Sequence, residues 1–566
     1  MTILANMEIV ANRMAQSARK QSWDWFNSWT IGTALIAFAV ILPIAAVFFI
    51  AMSPGDDIWS HLASTVLPDY IWTTLRLMVA VGLGTFIIGV GSAWLVSMYR
   101  FPGRGIFEWA LLLPLAMPAY VIAYVYTDIL EFAGPVQAML RDIYGWSTQR
   151  EYWFPEIRSL GGAISMMTLV LYPYVYLLSR AAFMEQSVCV IEASRVLGRG
   201  PWRSFTSVAL PLARPAIVIG VSLVMMETLN DFGTVDFFAV NSFTLGIYDV
   251  WLNMNNVAGA AQLAGLMLLF VIFLIMAERY GRRKQRFHHT TTKFKALPGY
   301  LLTGGRGFLA TLACAIPIIL GFVVPAGILV AYAITHFDAA TNIEVLRHAG
   351  NSFLLSGLAA VLAAAVGVFM AYGVRLRNDR VLKVIVRVAS LGYAIPGAVL
   401  AVGVMVTLGA VDNGIDSLMR QSFGFSTGLL FSGTIAAVTF GYLVRFLALA
   451  FGSVEASLAK VSPSMDGAAR SLGQGALGTL KRVHLPMIRG SLLTAVMLVF
   501  VDGMKELPMT ISLRPFNFHT LATYVHQFAS DEQLGDASLA ALAIVAFGIL
   551  PVIGLSLAIT RSRPGH

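Results

Sequence analysis

Residues 191–215 read IEASRVLGRGPWRSFTSVALPLARP, and residues 466–490 read DGAARSLGQGALGTLKRVHLPMIRG. The two stretches align without a gap. Arg195 falls on Arg470, Leu197-Gly198 on Leu472-Gly473 and Leu210-Pro211 on Leu485-Pro486, always 275 residues apart. Each is polar and basic and lies between strongly apolar segments. Ordinary connecting loops vary freely and accept insertions. An ungapped copy marks a chain made of two halves that present the same surface element twice, as two equivalent docking points for a two-fold partner.

The flanking segments set the fold class. The chain has 566 residues, of which 57% are hydrophobic and 12% charged; soluble domains carry about 25% charged residues. Mean hydropathy is +0.74. Several apolar runs exceed the roughly 20 residues that cross a bilayer. The expectation is an all-α integral membrane protein, with abundant Gly and Phe serving close helix packing in lipid. The net charge of +9 belongs to loops on one side of the membrane, so the expected surrounding is lipid and no nucleic-acid partner is implied. Two cysteines, Cys189 and Cys314, make neither a disulfide framework nor a CxxC metal site. The first 29 residues are polar and carry Arg13, Arg19 and Lys20, and the first apolar run has full span length, which does not read as a cleavable signal.

Twelve helices are expected. Those of the first half lie near 30–52, 71–98, 107–131, 160–184, 211–232 and 260–280. Those of the second lie near 308–335, 351–375, 384–409, 427–451, 486–507 and 538–560. Arg100, Arg104, Arg195, Arg199, Arg203, the basic run around Arg282–Lys295, Arg375, Arg377, Arg380, Lys383, Arg561 and Arg563 then fall on one side. The positive-inside bias makes that side cytoplasmic and places both termini there. The opposite loops hold Asp56, Asp57, Asp69, Asp236 and Asp249. Six spans per half is an even number, so the halves are parallel repeats about an axis normal to the membrane. The duplication reaches beyond the loops. PAYVIA at Pro118 matches PGAVLA at Pro396, Gly89 and Ala93 match Gly367 and Ala371, and Asp231 matches Glu506. The expected organisation is a cytoplasmic N-terminal segment (1–29), a first half (30–285), a basic linker (286–306) and a second half (307–566).

Within the repeated loop, a helix-forming run with an acid near its start suits a helix N-terminus. Gly198 and Gly473 stand where a C-terminal cap ends it. A second short helix is expected over Trp202–Val208, with Pro211 and Pro486 opening the next spans, where a missing N–H costs least.

This loop resembles the EAA motif of ABC importer permeases, EAAxxxG followed about nine residues later by I-x-LP. Glu192-Ala193-Ser194, Gly198 and Leu210-Pro211 supply one copy; Gly467-Ala468-Ala469, Gly473 and Leu485-Pro486 supply the other. The second copy departs from the motif: Gly467 replaces the leading Glu, with Asp466 one residue earlier. The resemblance implies a type I ABC importer permease fold with both halves fused, set in the bacterial inner membrane. It also implies coupling helices that dock on an ATPase, through Glu192, Ala193 and Gly198 in one loop and Asp466, Ala468 and Gly473 in the other. The implied partners are a homodimeric ABC ATPase on the cytoplasmic side, which uses ATP and Mg, and a periplasmic substrate-binding protein. No GxxxxGK[ST] run occurs in the chain, nor any catalytic constellation. It is therefore expected to be a permease subunit that binds no cofactor itself, not an enzyme. His288-His289 lie in the basic linker and read as solvated.

The substrate clue is Lys505, Glu506, Leu507, Pro508, Thr510, Leu513, Arg514 and Pro515, which resemble the K-E-L-P-x-T-x-x-L-R-P signature of fused iron(III) permeases. Asn230–Thr234 is similar to that family's first repeat. The resemblance implies iron(III) delivered by a periplasmic iron(III)-binding protein. Permeases for thiamine, aminoethylphosphonate and polyamines share parts of the pattern and remain alternatives. An ion-driven secondary transporter is the alternative of another class, and it leaves the repeated loop unexplained. Glu227 and Asp231 in the first half, and Asp502 and Glu506 in the second, stand near the outer ends of spans five and eleven. A carboxylate at the bilayer centre costs about 2.5–3.5 kcal/mol. These four either line a polar path, which suits a hard cation that prefers oxygen ligands, or cap helix ends and pair with Lys505 and Arg514. No metal ligand set is assigned. Tyr120, Tyr124, Tyr172, Tyr174 and Tyr176 could add phenolic oxygens, but interfacial belts account for tyrosines too.

Overall fold

The computed structural model describes residues 28–52, 64–185, 194, 196, 198, 200–282, 300–336, 339–377 and 379–561. Among them, eleven helices are long and apolar enough to cross a membrane, and a twelfth span is a pair, Arg104–Ala116 and Ala119–Tyr144, bent by 89°. The expected third span is thus a broken one. Met117 precedes a proline and is pushed out of the helical region, to φ −87° and ψ 119°. Pro118 follows in an extended conformation and the next helix starts at Ala119. The second half repeats the break. A 3-10 turn at Gly392–Ala394 leads through Pro396 into the Gly397–Phe423 helix.

By packing, the described chain forms two compact units, one drawn from residues 1–46, 355–394 and 403–503, the other from 47–354, 395–402 and 504–566. In the first, the N-terminal helix (Ser28–Ala51) lies on a helix of the second half. Trp29 stacks on Phe369 at 4.8 Å and meets Tyr372 edge-on at 5.1 Å. A Cβ on Gly373 would stand 2.2 Å from the Thr33 hydroxyl, so the two backbones approach closely. In the second unit, the opening helices of the second half (Gly304–Thr335) lie on helices of the first. The Tyr126 hydroxyl donates to the Leu320 carbonyl at 2.8 Å, and a Cβ on Gly321 would be 2.7 Å from the Leu169 carbonyl. Each half thus lends its first span to the other half's helices. Tyr99–Arg100 and Tyr300–Leu301 add a short parallel pairing just before that lent span.

The duplicated glycines do duplicated work. A Cβ on Gly89 would lie 2.9 Å from the backbone of Tyr172 and Tyr176. One on Gly367 would lie 3.0 Å from the backbone nitrogen of Phe451.

Pro211 and Pro486 stand in the first turn of the α-helical stretches Leu210–Asn230 and Leu485–Met504, as expected, but each stretch continues from a helical turn before it, so no separate helix covers Trp202–Val208. One helix runs from Pro201 to Asn230, another from Ala476 to Met504. In each, the turn ahead of the proline is widened to π geometry, at Phe205–Ala209 and Leu480–His484. A proline ring clashes with the carbonyl four residues back. The wider turn moves that carbonyl aside, and the helix continues.

Candidate functional site

The second repeated loop is described in full. Its helix, Pro463–Ser471, carries Asp466 in the first turn, where a negative charge suits the helix dipole. Asp466 faces its own unit. Arg375 places Nε and Nη2 each 3.0 Å from Oδ2, and His484 Nε2 lies 2.7 Å from Oδ1. Arg375 also donates to the carbonyls of Leu458 and Val461, at 2.5 and 2.9 Å, and the Tyr372 hydroxyl donates to the Ala476 carbonyl at 2.7 Å. Gly473 ends the helix at φ +78°, with its amide on the Arg470 carbonyl and the Gln474 amide on that of Ala469, the hydrogen-bond pattern of a left-handed cap. Ala468 is exposed, and Leu472 and Leu477 present apolar side chains to solvent.

In the first loop, Glu192 and Ala193 lie outside the described residues. Gly198 has φ +79°, matching Gly473. The Ser204 hydroxyl donates to that of Ser194 at 3.0 Å. Trp202, the positional equivalent of Leu477, is 73% exposed.

The second constellation is the pair of breaks after the long helices Leu210–Asn230 and Leu485–Met504. Asp231 accepts the Thr234 amide at 2.9 Å and its hydroxyl at 3.1 Å. Glu506, 5% exposed, accepts the amides of Met509 and Thr510 at 3.2 and 3.1 Å and the Thr510 hydroxyl at 3.0 Å. Each acid caps the short helix that follows, Gly233–Phe237 and Pro508–Leu513. The two breaks meet within one unit. A Cβ on Gly233 would lie 2.7 Å from Tyr120 and 2.9 Å from Leu507. Asn230 Oδ1 accepts the Gly397 amide at 2.7 Å, which ties the first break to the Pro396 turn. Glu227, half-buried, belongs to this unit, whereas Asp502 belongs to the other. Among the described residues, no three His, Cys, Asp or Glu side chains are grouped to hold a metal ion.

Sequence reasoning passed over His526. Its Nδ1 is 2.6 Å from the Tyr124 hydroxyl and its Nε2 3.6 Å from Asp236. Burial pushes His526 down to about 4, while burial and then the charge of Asp249 push Asp236 up to about 6. Tyr248 stacks on Phe232 and hydrogen-bonds Ser512 at 2.6 Å and the Pro508 carbonyl. His526 and Tyr248 are 278 residues apart, so the repeat itself was the signal for both.

Residues 85–286 match the family described as binding-protein-dependent transport system inner membrane component. An Fe(3+)-transport system permease protein of Haemophilus influenzae is 28% identical across 86% of this chain and 89% of its own length. A probable ABC transporter permease protein of Sinorhizobium fredii is 24% identical across 97% and 98%. A molybdenum transport system permease protein of Escherichia coli is 27% identical across 38% of this chain but 96% of its own. A whole permease of that kind therefore fits within fewer than half of these residues, as a two-half chain requires.

Proposed function

We propose that this chain is a fused, two-half permease of the binding-protein-dependent ABC importers and that it carries iron(III) into the cytoplasm, a reading supported by the family match over residues 85–286 and by the Fe(3+)-transport relative. A periplasmic iron(III)-binding protein delivers the ion to the outer face. A homodimeric ATPase, which binds the ATP and Mg, docks on the two repeated loops at the cytoplasmic face, where both termini lie. ATP binding closes the motor and pulls on the loops, the halves rock between outward- and inward-facing states, and hydrolysis resets them. Gly198 and Gly473 shape the docking helices. Ala468 and, in the first loop, Glu192 and Ala193 meet the motor, while Asp466 holds its loop to the permease. Exposed Trp202 and Leu477 fit the same role, because large apolar groups in the open mark interaction sites.

Glu227, Asp231, Asp502 and Glu506 are assigned to the substrate path, with Asp231 and Glu506 acting by holding the helix breaks open. Broken helices of this kind form the midpoint sites of many transporters. The observation that carries the iron reading is the Lys505–Pro515 segment together with the Fe(3+)-transport relative that spans nearly the whole chain. The test is radiolabelled iron(III) uptake in cells lacking the gene, then with the gene restored intact or with Asp231→Ala and Glu506→Ala. Restoration by the intact chain alone, at equal protein levels, supports ion and path together. No restoration by the intact chain removes iron and moves thiamine, aminoethylphosphonate or a polyamine forward.

A further inference from the structure

The two halves build equivalent outer walls within one unit and fill them differently. At a constant spacing of 278 residues, Tyr70 corresponds to His348, Thr74 to Ser352, Ser242 to Thr520 and Gly246 to Tyr524. The correspondence is structural as well. The Thr74 hydroxyl accepts the Phe243 amide at 3.2 Å, and the Ser352 hydroxyl accepts the Leu521 amide at 2.8 Å. Ser242 and Thr520 each cap the helix that follows them. In the first wall the Tyr70 ring lies 2.4 Å from where a Gly246 Cβ would stand, so the space is closed. In the second, histidine replaces that tyrosine and tyrosine replaces that glycine, with ring centroids 4.8 Å apart. Beside them opens a cavity of about 390 Å³, lined by Arg347, His348, Asn517, His519, Tyr524 and Gln527 among others. That volume is within the range of small-molecule sites.

Behind the lining, two polar atoms are sealed away from the cavity. Among the described residues, Nδ1 of His348 and the hydroxyl of Tyr524 are buried without a partner. The side chains are 9% and 3% exposed. A buried orphan of this kind costs about 1–3 kcal/mol unless something satisfies it. His519 is oriented from behind: Arg514 Nη1 donates to its Nδ1 at 2.8 Å, so Nε2 carries the proton and is a donor. Burial, and then the Arg514 charge, push His519 down to about 4, which keeps that tautomer neutral at pH 7. Glu344 is the one carboxylate in the lining. It is outweighed by Arg347 on the same rim and Arg514 behind.

We infer that this cavity binds an oxyanion, the carboxylate or phosphate group of a small ligand, held by the Arg347 fork, Nε2–H of His519 and the two side-chain amides. A guanidinium matches both groups bidentately. The purified full chain, in detergent without iron or partner proteins, is titrated calorimetrically with inorganic phosphate and separately with citrate. Because iron is absent, the outcome is independent of the uptake assay. Saturable binding of at least one is expected, and the preferred one identifies the source. Arg347→Ala is expected to weaken binding at least tenfold. His519→Phe, which keeps a ring but removes the Nε2 donor, is expected to weaken it roughly fivefold, the worth of one hydrogen bond. If Arg347→Ala fails to fold, His519→Phe decides alone. Binding of neither anion, or affinity unchanged in the folded variants, overturns the inference.

Discussion

The two repeated loops share a glycine cap and a widened turn, yet the residues that fasten the second have no counterparts in the first. In the second, Asp466 is clasped by Arg375 and His484. The equivalent positions in the first half are Ile191, Ser97 and Ala209, which cannot form an ion pair. The second loop is therefore tied to its own half by this clasp, and the equivalent positions of the first cannot form the same one. Departure from the motif at Gly467 reads accordingly: the acid displaced to position 466 serves the permease's own fold. Identical outlines in a repeat do not imply identical anchoring, and mutations in equivalent places should separate the two.

The largest effect is expected at the feature the loops share. Gly198 and Gly473 have φ +79° and +78° with open space around them, so backbone conformation, not crowding, requires glycine. A β-branched residue there costs about 1–2 kcal/mol or re-forms the turn. Gly198→Val and Gly473→Val should each reduce ATP-coupled uptake by more than tenfold while insertion into the membrane, read by fractionation, stays normal. Full uptake by the double variant would deny the loops any part in coupling.

Next in size is the ionic clasp. Arg375→Ala strands Asp466 and the carbonyls of Leu458 and Val461. The pair is mostly but not wholly buried, so the expected loss is about 2–3 kcal/mol, below that of a fully buried pair. Thermal unfolding in detergent reads it out. Ser97→Ala should stay within about 0.5 kcal/mol, since among the described residues its hydroxyl has no partner to lose. A double-mutant cycle of Arg375→Ala with Asp466→Ala should show coupling of about 1–2 kcal/mol. Additive losses would mean that Asp466 faces elsewhere in solution.

Much of this was legible before any coordinates. Hydropathy located the spans, and the offsets of 275 and 278 residues paired Gly89 with Gly367 and Asp231 with Glu506, pairs that prove to have matching structural roles. Pro118 and Pro396 stand at breaks, because each restricts the residue before it, where continuous helices were expected over 107–131 and 384–409. Other features left no local trace. An apolar face does not name its neighbour, so the exchange of first spans, Trp29 onto Phe369, was invisible. Trp202–Val208 looked like a separate helix because a π turn has no composition of its own. Asp231 and Glu506 could be read as path or cap, since a carboxylate serves either, and only the amides of Thr234, Met509 and Thr510 reveal the cap.

The smallest effect should lie at the exposed apolar pair, and it sharpens the comparison most finely. Trp202 and Leu477 are equivalent and are 73% and 53% exposed. Truncating either removes little internal packing, so stability should change by no more than about 0.5 kcal/mol. A partner pocket would notice, because buried aromatic anchors dominate interface energy. Trp202→Ala should then cost co-purification of the ATPase more than Leu477→Ala does. The first loop lacks the residues of this clasp at the equivalent positions, and it carries the larger anchor. Equal losses at the two sites would mean that the motor reads both loops alike and that the clasp on the second loop matters only to the permease. No loss at either, with Gly473→Val still inactive, would place the motor's grip on the helix backbone and the exposed Ala468 rather than on these side chains.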